Sequence, residues 1–134
     1  IGDYYYQNGE YSSELKTDTE NPCIGVVFAT KALNGDKAEN YGAYTRIKGY
    51  VMALESAPSA TRWEFCDRSM NGTIDLTGLE LTKTGYENTN TLLADSRYTD
   101  HADKYLVIAD FFLFKEKTAT PANSSGWYIP SLKK

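Results

Sequence analysis

The pattern of apolar residues changes along this chain, and the change restricts the fold more than any other feature of the sequence. Through residue 66, short runs of aromatic and β-branched residues alternate with turn-forming segments, as in β-strands joined by loops. After residue 89, apolar residues recur every three to four positions, which is the period of an α-helix. We therefore expect an α+β protein in which an antiparallel sheet from the first half is covered by one or two helices from the second.

The strand predictions begin with a hairpin. Residues 3–6 and 10–13 flank Asn8-Gly9, a dipeptide that accepts the positive backbone angles of a tight turn. Residues 23–30 follow, and their core contains Ile24, Val26, Val27 and Phe28. A continuous run of this kind is typical of a central strand that is buried on both faces.

Two further strands and two loops complete the first part of the chain. Residues 46–56 are rich in apolar residues and predict a strand, and residues 61–66 predict a shorter one. Residues 31–44 are polar and contain Asn-Gly-Asp and Tyr-Gly, so they predict a long exposed loop. Residues 67–85 show no firm period and also predict a loop.

The second half predicts a short helix and a longer one. Thr89 or Asn90 can cap the short helix, because their side-chain oxygens accept hydrogen bonds from first-turn amides. Thr99 or Asp100 can cap the longer helix, which covers residues 101–117. Its apolar residues lie nearly all round the helix, so we expect it to be largely buried.

Length and charge exclude several classes of protein. A chain of 134 residues predicts a single domain, residues 1–134. The net charge of −4 has the wrong sign for a protein that binds nucleic acid through phosphates. The apolar runs are shorter than the roughly 18 to 20 residues that cross a bilayer, so we expect no membrane insertion by this segment. The first residue is Ile1 rather than Met, so we interpret the chain as processed or trimmed, and a targeting segment would not be visible in it.

The residue patterns of the sequence favour neither a catalytic site nor a metal-binding site. His101 is the one histidine, and no serine on a sharp strand-to-helix turn accompanies it. The tract 67–75 holds Asp67, Asn71 and Asp75, but its spacing is not that of a calcium-binding EF-hand loop. We predict no enzyme, no metal and no cofactor. The two cysteines, 23 and 66, form either one disulfide or two thiols, and the sequence leaves both open.

Aromatic residues are abundant in this chain, and their abundance requires an explanation. The chain has 11 tyrosines, 5 phenylalanines and 2 tryptophans. Tyr41, Tyr44 and Tyr86 lie in polar segments that contain glycine, where a ring with a hydroxyl offers a flat, rigid contact for a sugar or a partner protein. Trp127 is a further candidate. These four are our predicted ligand-binding residues, and the alternative is that they anchor loops onto the sheet.

Five sequence blocks resemble one family. They are GDYYYQNGEYSSEL (2–15), CIGVVF (23–28), GYVMALESA (49–57), GYENTNT (85–91) and PANSSGWYIPSL (121–132). In this order they resemble a domain of Bacteroidales surface proteins, the fimbrillin-associated and DUF1566-like modules, whose fold is similar to the C-type lectin fold. The resemblance implies an exported protein of the cell surface or periplasm of a gut bacterium, with an outer-membrane lipoprotein as one form.

The chain also departs from that family. Lys48 stands where the family often has histidine. Residues 20–22 read Glu-Asn-Pro, whereas calcium-dependent sugar binding is associated with the order Glu-Pro-Asn. The family continues with a helix and strands after its closing block, so the resemblance implies a C-type lectin-like fold that is truncated at the C-terminus.

Three functions follow as expectations. The first is a non-enzymatic cell-surface adhesion or ligand-binding module that binds a glycan or a host surface protein without a metal. The second is a structural pilus or cell-envelope subunit that contacts other envelope or pilus subunits through its aromatic surface. The third is an enzyme related to the sulfatase-modifying relatives of the lectin-like fold, for which the two cysteines are the only support.

Overall fold

The architecture is that of a computed structural model, which describes residues 1–56, 77–80 and 82–130. The chain divides into two compact units. The first consists of Ile1–Ser56 and Thr118–Gly126, and the described residues of the second are 77–80, 82–117 and 127–130. The predicted strand at 61–66, the tract 67–75 and Trp63 lie outside the described residues. The single domain stays a prediction.

The first unit contains an open antiparallel sheet of four strands. The strands are β1 (Tyr4–Tyr6), β2 (Tyr11–Ser12), β3 (Cys23–Ala29) and β4 (Tyr50–Ala53), and their order in the sheet is β2-β1-β3-β4. The second unit contains the helices α1 (Gly85–Ala94), α2 (Ser96–Thr99) and α3 (Leu106–Lys117). The predicted α+β class is therefore confirmed, whereas the predicted packing of the long helix over the sheet stays a prediction.

The predicted hairpin joins β1 to β2. Gly9 adopts a φ of +91°, a left-handed conformation that glycine allows at low cost. The Gly9 amide donates to the Tyr6 carbonyl at 2.9 Å, and the Asn8 side chain accepts from the Glu10 amide at 2.9 Å. The turn sequence therefore sets the antiparallel pairing of Tyr4 with Ser12 and of Tyr5 with Tyr11.

Strand β3 lies in the interior of the sheet, as predicted, and pairs antiparallel with both β1 and β4. Its burial differs from the prediction: Ile24 and Ala29 are buried, but the side chain of Phe28 is 45% exposed. The prediction of a strand buried on both faces is therefore wrong at Phe28. An antiparallel sheet can leave part of a face open to solvent, and an unbroken apolar run does not distinguish this case.

Strand β4 is shorter than the predicted 46–56. Tyr50 pairs with Ala29, which is the last residue of β3, so the residues before Tyr50 have no partner in that strand. The connection between β3 and β4 is also more ordered than a long exposed loop. It contains a 3₁₀ helix at Ala38–Tyr41, and Tyr41 is buried.

The helix starts differ from the predicted ones. Thr84 caps α1: its hydroxyl accepts from the Glu87 amide at 3.2 Å, and the Glu87 carboxylate accepts from the Thr84 amide at 2.8 Å. This capping box is the reciprocal pair that satisfies first-turn amides. Thr89, one of the predicted caps, lies inside the helix, where its hydroxyl accepts from the Ile129 amide at 2.9 Å.

The long helix α3 begins at Leu106 rather than at residue 101, and Asp95 caps the separate one-turn helix α2 before it. The helix α3 is not buried all round. Its buried residues are Ile108, Phe111 and Phe114, at intervals of three, whereas Phe112 is 41% exposed and Leu113 is 53% exposed. The helical core of the second unit consists of the buried residues Leu92, Tyr98, Tyr105 and Ile108.

Candidate functional site

Among the four predicted ligand-binding residues, Tyr44 agrees best with the prediction of a partly exposed ring in a loop. It lies between the 3₁₀ helix and β4, and its side chain is 37% exposed. The Tyr44 hydroxyl donates a hydrogen bond of 2.6 Å to the Ser124 carbonyl. One end of the ring is therefore tied to the backbone of the same unit, while part of the ring remains open to solvent.

Tyr41 does not offer a surface, and the prediction that placed it in an exposed loop is wrong. Its side chain is only 6% exposed, and its hydroxyl donates to Asp36 Oδ2 at 2.6 Å. The physical reason is the 3₁₀ turn at Ala38–Tyr41, which turns the ring inward where its hydroxyl has an anionic acceptor.

The Asp36 carboxylate collects four hydrogen bonds. Besides Tyr41, the Tyr50 hydroxyl donates to Oδ2 at 2.5 Å. Oδ1 accepts from the Asn40 amide group at 3.0 Å and from the Lys37 backbone amide at 2.9 Å. Partial burial raises the pKa of Asp36, but the hydrogen bonds from Tyr41, Tyr50, Asn40 and Lys37 outweigh it. The pKa of this carboxyl therefore lies below its ordinary value.

Tyr86 is in the first turn of α1 rather than in the predicted loop. The capping box at Thr84 starts the helix just before it, which is why the glycine at 85 does not form a loop. The Tyr86 ring is half-buried and meets the Tyr128 ring edge to face, with 6.1 Å between the ring centroids. This geometry is favoured between aromatic rings and holds both in place.

Trp127 is half-buried and also makes an edge-to-face contact. Its ring lies 5.5 Å from that of Phe114 in α3. Its neighbour Tyr128 contacts α1 through Tyr86, and the next amide, of Ile129, donates to Thr89 in the same helix. The segment after Gly126 therefore binds two helices of the second unit through consecutive residues.

The four predicted residues are thus divided between the two units. Tyr86 and Trp127 belong to the second unit, Tyr44 and Tyr41 belong to the first, and Tyr41 is buried. Sequence reasoning missed Asp36, because an aspartate in an Asn-Gly-Asp segment has the ordinary signature of a turn. Tyr128 was also not among the predicted ligand-binding residues, although its ring completes the pair with Tyr86.

Other kinds of site have less support in the described residues. Across residues 1–56, 77–80 and 82–130, no group of three or more histidine, cysteine or acidic residues is arranged to hold a metal ion. His101 is exposed, and Cys23 is a half-buried free thiol in β3. Among the described residues, the helices are too short or too polar for any of them to cross a membrane.

Comparison with known proteins does not assign the chain to a family. No protein-family model, no curated protein and no solved structure matches it.

Proposed function

We propose that this protein is a non-enzymatic ligand-binding or adhesion module of the surface of a gut bacterium, with glycans as its ligand class. The proposal combines the five family-like sequence blocks with the aromatic residues of the structure. It includes a C-type lectin-like fold, export to the cell surface or periplasm, and binding that does not require a metal. A host surface protein that carries glycans is a partner of the same chemistry.

The observation that carries the proposal is the state of Tyr44. Its hydroxyl is held by the Ser124 carbonyl, and its side chain is 37% exposed. An aromatic ring that is already fixed loses little conformational entropy when it packs against the apolar face of a sugar. The Tyr86 and Tyr128 pair in the second unit offers another fixed aromatic surface.

A glycan array and a panel of immobilised matrix proteins test this function. The whole protein is compared with Tyr44→Ala and with Tyr11→Ala, whose tyrosine is 68% exposed on β2 and is not one of the predicted ligand-binding residues. We expect Tyr44→Ala to weaken binding about tenfold, the scale of one aromatic contact, and Tyr11→Ala to bind as the unchanged protein does. A folded protein that binds no glycan and no matrix protein would rule out the function.

A specific observation favours a second function, that of a structural pilus or cell-envelope subunit. Strand β4 lies at one edge of the sheet that the described residues form, and apolar side chains in it and directly after it are exposed. Met52 in the strand is 62% exposed, and Leu54, which follows the last strand residue, is 50% exposed. Exposed apolar edge strands are surfaces on which another chain can add.

Sedimentation over a wide range of protein concentrations distinguishes the two functions. A subunit that assembles through β4 associates as its concentration rises, and Met52→Lys prevents the association. Leu113→Lys is the matched control, because Leu113 is a similarly exposed apolar residue on α3, a helix of the second unit that forms no part of the sheet. A protein that stays monomeric throughout, or that associates equally well with Met52→Lys, contradicts the subunit function.

A further inference from the structure

The connection between β3 and β4, residues 30–49, has little regular structure for its length. Its one helical element is the 3₁₀ turn at Ala38–Tyr41. Positive φ angles occur at Asn34 (31°), Gly35 (78°) and Gly42 (96°), so the backbone changes direction on both sides of that turn. Fixing a long loop in one conformation costs conformational entropy, which specific contacts must offset.

Asp36 provides those contacts from a single carboxylate. Three of its donors, the Lys37 amide, the Asn40 side chain and the Tyr41 hydroxyl, belong to the loop itself. The fourth, the Tyr50 hydroxyl, comes from the first residue of β4 and therefore from the sheet. The carboxylate joins the loop to the sheet, and hydrogen bonds to a charged acceptor are stronger than those between neutral groups.

Tyr50 extends this connection. Its hydroxyl also accepts a hydrogen bond of 3.4 Å from the Leu33 amide, on the other side of Asn34-Gly35. The Tyr50 side chain is 8% exposed, and its ring lies 5.8 Å from that of Phe28. A side chain packed in this way has little freedom to move, so its hydroxyl binds the loop to a rigid part of the sheet.

The donors to the Asp36 carboxylate are neutral groups, although charged side chains lie nearby in the loop. The Lys37 ammonium lies 3.6 Å from the Glu39 carboxylate, and both side chains are highly exposed. The groups that bond to Asp36 are two tyrosine hydroxyls, one side-chain amide and one backbone amide, all of them neutral. A carboxylate accepts all four at once, whereas an asparagine side chain has one acceptor oxygen and would turn its own N–H groups toward donors.

We propose that Asp36 is a positioning residue that holds loop 30–49 in the conformation that presents the Tyr44 ring. Tyr44 follows Gly42 in the same loop, and the Ser124 carbonyl holds only its hydroxyl end. Asp36 holds the loop before Gly42, so the two attachments together fix the position of the ring. This inference rests on the proposed function, in which the Tyr44 ring contacts the ligand. It adds Asp36, a residue that acts on binding without being part of the aromatic surface.

The experiment needs no ligand. Hydrogen exchange of the backbone amides is measured in the unchanged protein, in Asp36→Asn and in Glu39→Gln, the last being a control that removes an exposed carboxylate of the same loop. The Tyr44 ring signal is followed in parallel by NMR with labelled tyrosine. We expect Asp36→Asn to speed exchange in loop 30–49 about tenfold, the scale of a lost charged hydrogen bond, and to shift the Tyr44 signal.

Each other outcome overturns the proposal. Unchanged loop exchange in Asp36→Asn shows that the carboxylate does not hold the loop. Faster loop exchange with an unmoved Tyr44 signal shows that Ser124 alone positions the ring, and equal acceleration in β3 shows a general loss of stability.

If Asp36→Asn does not fold, Tyr41→Phe removes one donor without a change of charge and must give a smaller effect in the same direction. An equal response in Glu39→Gln also counts against Asp36. A blank glycan array leaves every one of these readouts intact, so failure of the proposed function is seen separately.

Discussion

Tyrosine hydroxyls act as attachment points for loops in this protein, and at least four of the 11 tyrosines have this role. The buried Tyr6 hydroxyl is bonded to the Ser12 hydroxyl at 2.8 Å and accepts from the Lys16 amide at 2.8 Å. Tyr41 and Tyr50 share Asp36 in the same manner, and Tyr44 donates to Ser124. A tyrosine can pack its ring in a core and still satisfy a backbone group near the surface, which phenylalanine cannot do.

The first prediction is that stabilisation by Asp36 depends on pH. Because the pKa of the folded carboxyl lies below its ordinary value of 3.8, the stabilisation is complete above that value and is lost as the pH falls through the folded pKa. We expect the unchanged protein to exceed Asp36→Asn in the free energy of unfolding by about 1 kcal/mol at neutral pH. The difference should shrink below about pH 4.

Urea unfolding of both proteins between neutral and acidic pH measures this difference in the free energy of unfolding. The other carboxyl groups are the same in both proteins, so their protonation cancels in the difference. Glu39→Gln is again the control, since its carboxylate contacts only Lys37 among the ion pairs of its loop that the structure describes. A difference that stays constant down to the lowest pH would show that the charge of Asp36 does not contribute.

Some strands and turns of this fold are predictable from local sequence. The Asn8-Gly9 hairpin and the interior strand β3 were predictable, because a turn dipeptide and a β-branched run act through neighbouring residues. The start of α1 was missed, although Thr84 with Glu87 three residues later is the local pattern of a capping box. The partner of Thr89, the Ile129 amide, is distant in sequence and could not be predicted from neighbouring residues. Burial of Tyr41 was also missed, because the polar composition of its segment does not show that Asp36 accepts from its hydroxyl in the folded loop.

The second prediction tests the start of α1. Thr84→Ala removes the hydroxyl that accepts from the Glu87 amide, so we expect a loss of about 1 kcal/mol in the free energy of unfolding. Asn90→Ala is the matched control, because Asn90 is exposed inside the same helix and alanine is the better helix former there. Chemical denaturation followed by circular dichroism measures both. A loss in Asn90→Ala with none in Thr84→Ala would return the cap to the originally predicted position.

The third prediction concerns the contact between β3 and β4. A Cβ at Gly25 would lie 2.3 Å from Val51 Cγ1 and 2.7 Å from the Met52 carbonyl oxygen, so the strands must separate to admit one. We expect Gly25→Ala to cost about 2 to 3 kcal/mol, as overpacking of a close contact does.

The double variant Gly25→Ala with Val51→Ala serves as the comparison in thermal unfolding. It should regain only part of the loss, because the Met52 carbonyl still obstructs the added methyl group. Full stability in Gly25→Ala would show that β3 and β4 do not approach as closely as described.

At the scale of the whole molecule, the change of pattern along the sequence corresponds to a change of unit. The strands belong to the first unit and the helices to the second, and the last described residues return to the helical unit through Trp127 and Ile129. The composition alone could not show this division, since both units use aromatic residues in their cores, Tyr6 and Tyr50 in one and Tyr98 and Tyr105 in the other.

The fourth prediction concerns the covalent state of the whole chain. Cys23 is a free thiol in β3, and its sulfur lies 3.5 Å from the Gly25 carbonyl oxygen. A bridge to Cys66 would close a loop of about 40 residues and would stabilise the protein by roughly 3 to 4 kcal/mol. Because Cys23 is free, we expect a reducing agent to leave the melting temperature unchanged, and Cys23→Ser to show the same insensitivity.

Calorimetry with and without the reductant, together with a count of free thiols by mass spectrometry after unfolding, tests this expectation. Two free thiols and superimposable transitions agree with a free Cys23. A transition that moves roughly 10 to 20 °C lower under reduction, the shift that a loss of 3 to 4 kcal/mol gives in a domain of this size, would establish a bridge if Cys23→Ser abolishes that movement. A bridge of this kind is typical of exported proteins, because oxidising compartments allow disulfides to form and persist.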